Sequence, residues 1–197
     1  MDPATEEKIY SILVSDPHMI LLFKNKFITN NMWKIAIEGE PSLFQYMKDP
    51  PEDIVLFALS EDGANIQYLE GMGITITNKM IFTALKNYPG AIHLIPKELR
   101  TAHIREYACK LDPSLMSEIP VHRNFVNQQL KNDPMLVRFL SSPTEDQLCT
   151  AIRSNPNACA YISEFTPRVV ALVRELYPEL IPLIPALSRA SDKDRRN

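Results

Sequence analysis

The chain of 197 residues reads as all-α, an α-solenoid of about eight stacked short helix-turn-helix repeats. Three observations predict it: a proline recurring at near-constant spacing, a threonine standing upstream of most of these prolines, and apolar residues at helical intervals between the two. The recurring anchors are Pro17, Pro41, Gly63, Pro89, Pro113, Pro134, Pro156 and Pro178, roughly 21 to 26 residues apart. Seven of these anchors are prolines, within an unusual composition of 16 Pro against 5 Gly, which reverses ordinary usage.

The first helix of each unit opens twelve residues before its anchor, at Thr5, Thr29, Pro51, Thr77, Thr101, His122, Thr144 and Thr166. A threonine hydroxyl there accepts a bond from an otherwise orphaned first-turn N–H. Acidic residues follow in Glu6-Glu7, Glu52-Asp53 and Glu145-Asp146, where they favour the positive end of the helix dipole. Apolar residues then fall eight before the anchor (Trp33, Val55, Ile81), five before it (Ala36, Ala58, Ala84) and four before it (Ile37, Leu59, Leu85). That spacing makes one buried stripe on a helix of about ten residues, with small alanines that admit a close neighbour.

The anchor closes one helix and opens the next. In Asp16-Pro17, Asp112-Pro113, Asp133-Pro134 and Asn155-Pro156 an N-cap residue precedes Pro at the first helical position, where a missing N–H costs nothing. The same proline keeps its predecessor out of the α region. A second helix of about seven residues follows, apolar three and six positions beyond the anchor in every unit, with Pro96, Pro120 and Pro185 as stops. Such helices are shorter than the roughly 12–15 residues at which isolated helices become marginal, so neighbours must stabilise them. The units lie near 5–26, 27–50, 51–73, 74–98, 99–121, 122–142, 143–164 and 165–187 of a single helical-repeat domain over 1–187, and 188–197 reads as a polar tail.

The run Asp53-Ile54-Val55-Leu56-Phe57-Ala58-Leu59, with its turn and second helix Asp62-Gly63-Ala64-Asn65-Ile66, resembles a family of tandem helical hairpins of about two dozen residues, found in bacterial proteins, some effector-like, and in large viruses. The resemblance extends over nearly the whole chain. It implies a repeat scaffold of unestablished function, with no catalytic residues to carry over, acting inside a host.

Net charge is -3, which gives no global attraction to nucleic acid or anionic membranes. No run approaches a membrane span, and Met1–Glu7 does not read as a signal peptide. Cys109, Cys149 and Cys159 are odd in number and lack metal-ligand spacing, so a reducing cytoplasm, a host's if the protein is viral, is the expected location. His18, His93, His103 and His122 are scattered over repeat phases, and no phosphate-binding glycine motif can be written. No catalytic residue, metal or cofactor is expected.

Candidate partner-binding residues are Tyr46, Tyr68, Phe139 and Tyr161, which share the phase five beyond the anchor with Glu118, together with His93 and Arg138. Tyrosine adds contact area at low entropic cost, although packing between second helices is the commoner use. All ten arginines lie from Arg100 onward; Arg100, Arg105, Arg123, Arg153 and Arg168 are candidate contacts for an acidic partner, against the plainer expectation of a solvated surface. The function expected is therefore a non-catalytic protein-protein interaction module: a scaffold, adaptor or inhibitor, possible kin to viral or bacterial effectors. One alternative is a nucleic-acid-binding repeat using the arginine-rich half. Another is an enzyme assembled across repeats from residues such as His93, His103 and Glu118. The apolar last unit, Tyr177–Pro185, suggests self-association.

Overall fold

The structure, a computed structural model, describes residues 3–185 and Leu187. Helix is their regular secondary structure, joined by short linkers, with no strand among the described residues. The chain divides into two compact units, Met1–Asp112 and Pro113–Asn197, and the division falls at the turn inside the hairpin predicted over 99–121. The predicted tail 188–197 lies outside the described residues.

In the first unit the α-helices are α1 (Pro3–Ser15), α2 (Asn30–Gly39), α3 (Glu52–Glu61), the one-turn α4 (Ile66–Leu69), α5 (Asn78–Asn87) and α6 (Ala102–Leu111). Helix α1 packs on α2, α2 on α3, α3 on α5 and α5 on α6. The second unit repeats the scheme with α7 (Arg123–Asn132), α8 (Glu145–Ser154) and α9 (Pro167–Leu176), α7 packing on α8 and α8 on α9. Between consecutive long helices runs a short segment that starts at the anchor, and these segments form a second layer. Pro41–Tyr46 meets Gly63–Asn65, which meets Pro89–His93; Pro113–Ser117 meets Pro134–Phe139, which meets Pro156–Tyr161.

The threonine rule holds at five positions. Thr29, Thr77, Thr101, Thr144 and Thr166 each accept a hydrogen bond from the N–H three residues on, and Gln147 returns the bond to the Thr144 N–H, completing a capping box. His122 substitutes through Nδ1, accepting from the Asn124 N–H at 3.4 Å. Thr5 departs from expectation: it lies inside α1, which begins at Pro3, because proline at a helix start fixes φ without losing a needed donor.

The second helices differ from expectation in kind. Six anchors open 3₁₀ segments of five or six residues, such as Pro17–Leu22 and Pro134–Phe139, with bonds from residue i+3 to residue i like Phe23 N–H to Ile20 O. At three residues per turn, positions three and six past the anchor eclipse the anchor itself. The apolar period of three is thus met by a 3₁₀ turn as well as by an α-helix face. At Gly63 the 3₁₀ turn passes into the short α-helix Ile66–Leu69. The turn residue does work in both directions: Asp16, Asp62, Asp133 and Asn155 end the preceding helix with their backbone N–H, while their side chains accept from the N–H two residues on.

The core follows the predicted stripe. Ala36, Ala58, Ala84, Ala108 and Ala151 are fully buried, as are Ile37, Leu59, Leu85, Cys109, Leu130 and Ile152 one position later. A further buried row, nine before the anchor, comprises Met32, Ile54, Met80, Ile104, Phe125, Gln147 and Val169. Each large side chain so removed from water contributes about 1.5–3 kcal/mol. Two amides tie repeats together. Buried Asn65 donates from Nδ2 to the carbonyls of Pro41 and Ala58, both at 3.1 Å. Asn87 accepts from the Gly63 N–H at 2.8 Å and donates to the Ser60 carbonyl at 2.8 Å.

Candidate functional site

The longer 3₁₀ segments end four or five residues past their anchors, and a short linker carries the chain to the next helix cap. This connection leaves a cleft, and the cleft recurs. In each of four hairpins the floor is the residue eight before the anchor and the residue six past it: Ile9 and Phe23, Trp33 and Met47, Val126 and Leu140, Leu148 and Ile162. The clefts at the Pro17 and Pro41 anchors, of about 390 and 420 Å³, belong to the first unit. Those at Pro134 and Pro156, of about 300 and 450 Å³, belong to the second, and share Leu140, Ser141 and Ser142 as a common wall.

Two members of the predicted aromatic row, Tyr46 and Tyr161, line these clefts, and Tyr68 and Phe139 line none of the four. Tyr46 is 57% exposed and lines the Pro41 cleft; Tyr161 is 47% exposed and lines the Pro156 cleft. Tyr68 and Phe139 are half-buried. Arg138 sits over the Phe139 ring at 4.6 Å and near the Tyr161 ring at 6.0 Å, so three predicted residues of the second unit come together as a cation–π cluster. His93 and Glu118 are exposed, the first in the first unit and the second in the other, and neither lines any of the four clefts.

Four of the five predicted arginine contacts are engaged in structural bonds. Arg100 clamps the linker, donating to the Ile95 carbonyl at 2.7 Å and the His93 carbonyl at 2.9 Å, and Arg105 donates to the Arg100 carbonyl at 2.9 Å. Arg123 reaches Asp146 at 3.4 Å, and Arg168 reaches Asp146 at 2.9 Å and Glu145 at 3.3 Å. Hydrogen bonds to Asp146 and then Glu145 hold the Arg168 guanidinium more firmly protonated than usual. In the first unit Lys34 pairs with Asp53 at 3.1 Å and Lys79 with Glu52 at 3.3 Å. Acidic first turns of α3 and α8 thus each receive cations from the helix before and the helix after. Arg153 is exposed and makes no ion pair among the described residues.

Sulfur chemistry is suppressed. Cys109, Cys149 and Cys159 are buried; burial, aided by Asp112 and Glu106, pushes the Cys109 thiol up to about 11, and burial raises the other two. The nucleophilic thiolate is therefore scarce at neutral pH. Among the described residues no group of His, Cys, Asp or Glu is arranged to hold a metal ion, and no helix is long and apolar enough to cross a membrane. The clefts are not evident from sequence alone, because their walls come from two consecutive units. The signal was present as the polar residues seven and eight past the anchor, such as Lys48-Asp49 and Ser163-Glu164. No family profile, curated protein or solved structure matches the chain.

Proposed function

We propose that the chain is a non-catalytic protein-protein interaction module, a short-helix α-solenoid whose linker-edge clefts receive a partner polypeptide as a scaffold, adaptor or inhibitor does. The observation that carries this reading is the recurrence of one cleft in one register of four hairpins. Packing of long helices in chain order within each unit supports the stacked architecture. Exposed Tyr46 and Tyr161 supply rigid amphipathic contacts of the kind that anchor interfaces. A protein partner is favoured over nucleic acid because Arg123 and Arg168 are committed to Asp146 rather than arrayed for phosphates. The hairpin resemblance makes a host-directed role the natural setting.

The test is capture from a lysate of the native source on the immobilised full chain. A defined partner should be retained by the wild type and by Lys86→Ala, an exposed change outside the clefts. The double change Tyr46→Ala and Tyr161→Ala should weaken capture about tenfold or more, the cost of truncating an interface anchor. Equal retention by that variant, or no specific partner, would contradict the reading.

A further inference from the structure

The four clefts share a register but not their chemistry. Five residues past the anchor stand Leu22, Tyr46, Phe139 and Tyr161; eight past it stand Asn25, Asp49, Ser142 and Glu164. Tyrosine paired with a carboxylate occurs only at the Pro41 and Pro156 anchors, and there both members line the cleft: Tyr46 with Asp49, Tyr161 with Glu164. All four side chains are exposed. The first-turn acids Glu52, Asp53, Glu145 and Asp146 are matched by Lys or Arg, whereas Asp49 and Glu164 form no ion pair among the described residues. Their charge stays available at the mouth of the cleft.

Asp49 adds a second sign. Its φ of 46° is the one positive value at a non-glycine residue among the described residues. Such a conformation costs roughly 1–2 kcal/mol and tends to persist where function needs the geometry; here it fixes a carboxylate on the rim.

We propose that the Pro41 and Pro156 clefts each accept a Lys or Arg side chain of the partner polypeptide. The tyrosine ring offers its negative face to the cation, the carboxylate pairs with it, and the apolar floor, Trp33 with Met47 or Leu148 with Ile162, takes the aliphatic stem. Lys48 also lines the Pro41 cleft and opposes a cationic guest, while no basic residue lines the Pro156 cleft. Arg138 lies 6.0 Å from the Tyr161 ring but does not line that cleft, and Glu145, which does, is already paired with Arg168 at 3.3 Å, so Glu164 is the unpaired carboxylate there. The Pro156 cleft is therefore the stronger of the two. This inference rests on the interaction reading and names its partner's chemistry.

The experiment is an NMR titration of the full chain with the peptide acetyl-Gly-Lys-Gly-amide, and with the same peptide carrying norleucine for lysine. The lysine peptide should shift resonances of Tyr161, Ser163 and Glu164 first and of Tyr46 and Asp49 at higher concentration, with affinity on the order of millimolar. Glu164→Gln should weaken the response at its own cleft about fivefold and leave the other unchanged. Asp49→Asn, which tolerates the positive φ, should do the reverse. Equal shifts with norleucine, no shifts with lysine, or wild-type titration by both variants would overturn the proposal. If the lysine peptide fails while partner capture depends on Tyr46 and Tyr161, the cation inference falls and the interaction reading stands. If the peptide binds and capture ignores the clefts, the cation sites stand and the interaction reading falls.

Discussion

A β-carbon on Gly63 would lie 2.2 Å from the Ala84 carbonyl oxygen and 3.0 Å from its carbonyl carbon. Both are backbone atoms of a packed helix and cannot yield cheaply. The Gly63 N–H is also committed to Asn87, which is why the anchor here is not proline. Gly63→Ala should destabilise the protein by roughly 3 kcal/mol through forced overpacking. Gly71→Ala, whose new atom would meet only the Tyr68 carbonyl oxygen at 3.6 Å, should change stability by less than about 0.5 kcal/mol; urea denaturation measures both. That Gly63 marks an anchor was legible from spacing, but its reason was not, because Ala84 approaches only through the stacking of α5 on α3. The same holds for Arg123 and Arg168. As single residues they suggested an acidic partner, and the carboxylates they use belong to the neighbouring hairpin, a repeat away in sequence.

At the scale of elements, the caps were the most legible feature, since a cap is a local bond between residues three apart. Thr77→Ala should cost about 1 kcal/mol, read as a lower melting midpoint. Alanine at half-buried Thr83, whose hydroxyl donates to the Lys79 carbonyl within α5, should cost less. Thr5 shows the limit of the rule, because Pro3 offers an earlier start and a propensity pattern cannot rank two starts two residues apart. The second helices show another limit. Apolar residues at three and six past the anchor fit the face of either helix type over so short a stretch. What the 3₁₀ segments of five or six residues share is proline at the first position and a linker that turns away soon after, whether the cap is Asp or Asn or, as at Glu40 and Tyr88, makes no side-chain bond. A third residue then faces inward, two past the anchor, as Leu43, Ala91, Leu136 and Ala158 do.

Across the molecule, each compact unit is held by bonds whose partners sit about one repeat apart: Asn65 with Pro41, Asn87 with Ser60, Gln147 with Asn127, Thr166 with Glu145. A hairpin of this length has few internal contacts to spare, so nearest-neighbour stacking supplies stability while the connections between hairpins are left to form surface. That division explains why an account of binding centres on the linkers. The measurement that tests it most directly is hydrogen exchange of the full chain, alone and with its captured partner. The account predicts slowed exchange in the linkers that wall the clefts, around 47–51, 140–144 and 162–166, with the amides of α5 and α6 unchanged. Protection confined to α5 and α6, near the exposed ring of His103 and the half-buried rings of Phe82 and Tyr107, with the linkers exchanging as before, would contradict it.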